Sequence, residues 1–305
     1  MLTAALYGII VLMSSKHKDI YTMVGRSKPG KDDVKVHRDP STLSNYENFE
    51  TTNTAVDLHI DFDKKRLTGT VTLTLEPLTH DEASEVVLDT SYLVIKNVKV
   101  DGRIAKWQLS AQRQEPYGSP LTIKLEQSIA HHKQIQVEIE VSTTERCTAL
   151  QWLTPAQTSN RKHPYMFSQC QAIHARSLLP CMDTPDNKST FDFRLRSLLP
   201  VVASGLPAGI ETIDGSDEKI YVFKQKVPMP SYLFAIASGD IASAAVGPRS
   251  TVWAAPDMLV ASKWELEEGT ETFIKAAEAI VYDYAWGTYN MLVLPPSFPY
   301  GGMEK

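Results

Sequence analysis

The chain has 305 residues, 43% of them hydrophobic and 22% charged, which is ordinary for a globular protein long enough for two domains or one large β domain with an appendage. A net charge of −5 with scattered basic residues argues against nucleic acid as a partner. Three cysteines (Cys147, Cys170 and Cys181) form no C-x-x-C pair, which speaks against a cysteine metal site or a disulfide framework and fits a reducing compartment.

The apolar run from Met1 to Met13 is too short to span a bilayer as a helix. It also lacks the basic flank and small-residue cleavage site of a secretory signal, so a loosely ordered arm or a start-codon extension is expected, and no membrane partner. Lys, Asp, Ser, Pro and Gly dominate up to residue 50, and residues 1–50 read as a disordered leader. Order is expected from about Thr54. Val56 to Phe62 is apolar at every second residue, and Leu67 to Leu75 alternates again after the polar turn Asp63-Lys64-Lys65-Arg66. Together they predict a β-hairpin.

Further strands are predicted at Val86 to Asp89, Leu93 to Val100, Leu121 to Leu125, Ile135 to Val141, Phe191 to Leu195, Ile220 to Lys224 and Tyr232 to Ala237. No long helical pattern precedes residue 200, which favours an antiparallel β-saddle or sandwich over residues 51–246. After Gly247-Pro248-Arg249 the pattern changes. A strand at Thr251 to Ala254 leads into a helical period from about Ala261 to Tyr284, carried by Phe273, Ala277, Ile280, Val281 and Tyr284. A buried strand at Met291 to Leu294 follows. Residues 247–305 therefore read as the opening of a second, α/β domain.

Eight histidines are present, none in an H-E-x-x-H pattern, which would set two imidazoles one turn apart on a helix with a glutamate beside the metal-bound water. His131 and His132 are adjacent and would face opposite sides of a strand, which favours a surface role over a metal role. If Gln169-Cys170-Gln171 is extended, the two carboxamides share a face suited to a peptide end, and Cys170 faces the core. Composition alone favours a buried, hydrogen-bonded turn there. In Tyr300-Gly301-Gly302-Met303-Glu304 the glycines would let another backbone approach, and the carboxylate could hold a cation. A flexible loop is the plainer reading of Gly-Gly.

Gly301-Gly302-Met303-Glu304 resembles the exopeptidase motif of the gluzincin aminopeptidases. The stretches Ala149 to Pro155, His163 to His174, Leu179 to Pro185 and Leu294 to Glu304 are similar to the leukotriene A-4 hydrolase branch of that family. The resemblance runs in order from about residue 50 to 304. It implies a β-saddle followed by a thermolysin-like catalytic domain, a peptide substrate bound by its free amino terminus, and, in some members, epoxide hydrolysis. It also implies Zn2+ in the full-length enzyme, with a cytoplasmic or nuclear monomer as the expected form. By position, Gln169, Cys170 and Gln171 would form one side of the substrate site. Tyr300, Gly301, Gly302 and Met303 would lie along the peptide, and Glu304 would bind the α-ammonium group.

Here the family's asparagine after that glutamate is Lys305, and the H-E-x-x-H helix, the third zinc ligand and the proton-donating tyrosine do not occur. No cofactor site is therefore expected within these residues. The chain reads as the amino-terminal part of a zinc aminopeptidase, inactive alone, and the competing reading is a non-catalytic β-domain binding module.

Overall fold

The computed structural model describes residues 38–78, 83–129, 133–299 and 302. The predicted hairpin is β1 (Phe49–Asp61) and β2 (Arg66–Pro77), antiparallel from Phe49 opposite Pro77 to Asp61 opposite Arg66. Val56, Leu58 and Ile60 of β1 and Val71, Leu73 and Leu75 of β2 are buried, as a two-residue period requires of one covered face. Gly69 lies at φ 153°, and a Cβ there would stand 2.0 Å from the Asp57 carbonyl oxygen, so this close crossing needs glycine.

β3 (Ala83–Thr90) and β4 (Val94–Val100) follow, and the Asp101-Gly102 turn leads to the short β5 (Arg103–Ile104) and β6 (Trp107–Leu109). Next come β7 (Ser119–Ile129), β8 (Ile135–Ser142), β9 (Leu150–Leu153) and β10 (Tyr165–Ser168). The second half of the body holds β11 (Lys188–Ser197), β12 (Val201–Ala203), β13 (Leu206–Thr212), β14 (Lys219–Pro230) and β15 (Ile236–Ser238). The strand predicted from Tyr232 starts later, because Ser231–Leu233 forms a 3-10 turn first. Last come β16 (Ala242–Gly247), β17 (Ser250–Ala254), α1 (Leu259–Glu267), α2 (Thr270–Ile280) and β18 (Tyr289–Leu292).

Among the described residues the strands form an eight-stranded sheet ordered β13-β14-β11-β1-β2-β8-β4-β5 and a four-stranded sheet β12-β15-β10-β9, with two three-stranded sheets, β3-β7-β6 and β16-β17-β18. The fold is mainly β and mostly antiparallel, as the turn spacing predicts. Two pairs depart from this: β1 with β11 and β17 with β18 are parallel. Both join strands distant in sequence, where no tight turn imposes antiparallel pairing. One core cluster runs from Tyr46 to Ile236, with Phe193 and Phe234 at 5.2 Å between ring centroids.

Two boundaries differ from expectation. Residues from Asp39 onward already belong to the body: Thr42, Ser44, Tyr46 and Phe49 are buried, and the Leu43 N–H donates to Asp89 at 2.7 Å. Hydrogen bonds to a buried carboxylate hold this arm, and apolar periodicity has no view of them. The rest of the expected leader lies outside the described residues, as do His131 and His132. The expected single helix is instead α1 and α2, broken at Gly269, a residue costly inside a helix and closely overlaid by the Phe273 ring.

Candidate functional site

A cleft of 520 Å³ opens between the four-stranded sheet and the carboxyl-terminal segment. Its walls include Phe167 and Ser168 of β10, Trp253 of β17, and Trp286, Phe298 and Gly302 from the segments after α2. A small second core supports it: Leu153, Tyr165, Phe167, Ala237 and Ile241 are buried, and Trp253, Leu292, Leu294 and Phe298 pack against them. Phe167 and Phe298 meet edge to face at 5.2 Å, which joins the two sides of the cleft at its base. The walls are apolar and aromatic with a few polar groups, the usual character of a ligand-binding concavity.

Of the predicted site residues that are described, Gly302 lines this cleft, and Gln169, Cys170 and Gln171 do not. β10 stops at Ser168, a cleft-lining residue whose hydroxyl accepts the Ile236 N–H at 2.9 Å. Gln169 follows, half-buried, with its N–H donating to the Ala149 carbonyl at 2.8 Å. Cys170 is fully buried in the main core, and its thiol is not among the groups lining the cleft. Gln171 is exposed and begins a turn closed by the His174 N–H on the Cys170 carbonyl at 2.8 Å. Of the two readings, extension and a hydrogen-bonded turn, the structure has the turn, with Gln171 exposed rather than buried, and strand alternation does not put the two carboxamides on one face. Gly302 lines the cleft. Tyr300, Gly301, Met303 and Glu304 lie outside the described residues.

No group of three or more His, Cys, Asp or Glu side chains among the described residues is arranged to hold a metal ion. His59 faces Glu218 at 2.7 Å, and His174 faces the Thr148 hydroxyl at 2.8 Å. The described residues therefore do not fit a zinc ion. Burial pushes the Cys147 and Cys181 thiols up, which keeps both protonated and unsuited to nucleophilic attack. The cleft can bind and orient a ligand, but among the described residues it carries no bond-breaking constellation.

Sequence reasoning missed a buried ion cluster behind the Gln169 turn. Arg176, in the 3-10 turn Ala175–Ser177, is 1% exposed, and Asp89 is 0% exposed. The guanidinium donates through Nε to Asp183 at 2.8 Å, through Nη1 to the carbonyls of Ser41 and Tyr117 at 2.8 and 2.9 Å, and through Nη2 to the Asp183 carbonyl at 2.9 Å. Its approach to Asp89 is 3.5 Å. Burial alone would lower the Arg176 pKa, but attraction to Asp89 and Asp183 outweighs it and holds the group above its ordinary value. Burial pushes the Asp89 carboxyl up, against the pull of Arg176 and the hydrogen bonds from Thr42, Leu43 and Asp183. One signal was available in the sequence: Arg176 and Asp183 are opposite charges flanking the apolar run Leu178-Leu179-Pro180-Cys181-Met182.

Residues 43–233 match the peptidase M1 N-terminal domain family. Leucine aminopeptidase 2 of Coccidioides immitis is 60% identical over 270 residues, covering 88% of this chain and 44% of that protein. The structure of native yeast LTA4 hydrolase superimposes with a TM-score of 0.82 at 46% identity, covering 90% of this chain and 42% of that one. An M1 zinc metallopeptidase from Deinococcus radiodurans shares the fold at a TM-score of 0.64 and 19% identity, over 81% of this chain and 57% of its own. The chain spans less than half the length of the curated relative.

Proposed function

The chain belongs to the peptidase M1 N-terminal domain family, and from that premise we propose that it is the substrate-holding amino-terminal part of a zinc aminopeptidase of the leukotriene A-4 hydrolase type. The observation that carries this reading is the cleft shared by Ser168, immediately before Gln169, and Gly302, two residues before Glu304. These are the two segments that the family resemblance assigns to substrate binding, and they are 134 residues apart in sequence (302 − 168). In this reading the peptide backbone runs along the glycines, the Gln169 and Gln171 carboxamides hydrogen-bond its leading residue, and Glu304 pairs with the free α-ammonium group. A carboxylate at the closed end of a groove rewards a free amino terminus and leaves an internal peptide segment without its ion pair.

In the longer protein, zinc would supply a Lewis acid for the scissile carbonyl and an activated water. Its ligands in this proposal lie in sequence that these 305 residues do not contain. The cytoplasm and a monomeric state remain part of the proposal, and no described helix is long and apolar enough to cross a membrane.

The test is hydrolysis of an amino-acid anilide with added zinc, by the purified 305-residue chain and by the longer protein sharing it. The expected result is turnover by the longer protein only. Zinc-dependent turnover by the short chain would refute the division of labour. A second reading, a non-catalytic binding module, is equally consistent with the lack of a metal cluster among the described residues. Calorimetric peptide binding by the chain alone, with no zinc-dependent activity in the longer protein, would select it.

A further inference from the structure

We propose that Arg176 is a positioning residue for the substrate site, fixing Gln169 and Gln171 through Ser177 and Ala149; this rests on the aminopeptidase reading above. A short continuous path of hydrogen bonds supports it. The Gln169 N–H donates to the Ala149 carbonyl at 2.8 Å, and the Ala149 N–H donates to the Ser177 hydroxyl at 3.0 Å. The same hydroxyl donates to the His174 carbonyl at 2.8 Å and accepts from the Thr148 hydroxyl at 3.1 Å. His174 closes the turn that carries Gln171, through its N–H on the Cys170 carbonyl at 2.8 Å. Both glutamines thus sit on a small hydrogen-bonded unit that ends at Ser177, the neighbour of Arg176.

Alone, that unit could shift, because the turn is short and Gln171 is exposed. Arg176 removes the freedom. Its side chain binds four separate stretches of the chain: Ser41 in the amino-terminal arm, Asp89 at the end of β3, Tyr117 before β7, and Asp183. A guanidinium has a rigid planar fork, so these directions cannot be met from a displaced position. Asp183 is anchored in turn by the Ser231 hydroxyl, and its own N–H donates to Asp89 at 3.0 Å. No member of the cluster lines the cleft, so Arg176 acts only through what it holds.

The test is a double-mutant cycle in the longer aminopeptidase that carries this sequence, with anilide KM and kcat measured separately. Arg176→Lys keeps the charge and loses the fork. It is expected to raise KM about tenfold with kcat changed less than about threefold, the pattern of lost ground-state binding. Combining Gln169→Ala with Gln171→Ala should raise KM by itself, and adding Arg176→Lys should then change KM by less than about twofold, because the positioned groups are gone. Should Arg176→Lys fail to fold, Ser177→Ala cuts the path while leaving the ion cluster intact, and the same non-additivity is expected. Additive effects, or a lowered Tm with an unchanged KM, would overturn the positioning role and leave the aminopeptidase reading standing. An unchanged KM in the glutamine pair would overturn the assignment of Gln169 and Gln171 to substrate binding, and the positioning role with it.

Discussion

The β body up to residue 246 and the segment after it obey the same packing physics with opposite results. In the body, the apolar face of each long strand meets another sheet, and Leu58, Val71, Leu73, Val137, Ile139 and Phe193 are all buried. In the second region, α1 buries only Ser262, and α2 buries only Thr270 and Ile274. Val260, Trp264, Phe273 and Ile280 are 80%, 74%, 74% and 77% exposed. The helical period of α2 is real, yet its apolar stripe faces no described partner, so periodicity alone does not make a core. What attaches the region is local: α1 packs on β16 and β17, Leu292 and Phe298 cover the small second core, and Arg249 grips α2 through Glu271 and Glu278.

The sharpest way to break this comparison is a pair of truncations measured by urea unfolding. Phe193→Ala in the body should cost about 3–5 kcal/mol, through lost burial and the cavity left between Phe191 and Phe234. Ile280→Ala, an equally apolar deletion on α2, should stay within about 0.5 kcal/mol. Equal losses at the two sites would mean that the second region has a closed core of its own.

A smaller effect is expected from limited proteolysis. Cleavage should fall first between the break at Gly269 and the turn at Gly287, while β1 to β15 survive as one resistant piece. Early cleavage within the body would remove the distinction.

The smallest effect should come from acid. The Arg249 guanidinium, with the Tyr284 N–H, holds the Glu278 carboxyl down at about 2 against an ordinary 4.5. A lowered folded-state value means that the unfolded chain binds the proton more readily. The contribution of Glu278 is therefore complete above about 4.5 and lost as the pH falls towards 2. Asp89 has the opposite sign: burial raises it, so its contribution is larger in acid and declines as the pH rises. Hydrogen exchange, corrected for intrinsic rates, should show α2 losing protection between pH 4.5 and 2 while the arm at residues 42–44 keeps its own. Simultaneous loss in both places would count against separate anchoring.

The hairpin β1-β2, the strands β7, β8, β11 and β14 and the change of pattern after Gly247 were legible because each buries one face at a regular period. The amino-terminal arm was not. Its residues Asp39 to Ser44 are mostly polar and are held by Asp89 and Arg176, which stand far away in sequence. At the site, residue types singled out Gln169 to Gln171 and Tyr300 to Glu304; Ser168, beside the first, and Gly302, in the second, line one cleft. At Gln169 to Gln171 composition favoured a hydrogen-bonded turn over extension, and a turn closed by His174 is present, though Gln171 on it is exposed.

By itself the sequence determined which stretches alternate, where the strands of the body run, that no H-E-x-x-H pair is available, and that two chemically distinctive segments bracket residues 169–304. These are properties of neighbours along the chain, and local sterics and burial decide them. Only the tertiary structure decided that β1 pairs in parallel with β11, that the arm belongs to the body, and that Arg176 ties Ser41, Asp89 and Tyr117 together behind the glutamine turn. Each of these depends on which buried charge or sheet edge meets which partner across more than forty residues, and no local period records such a meeting.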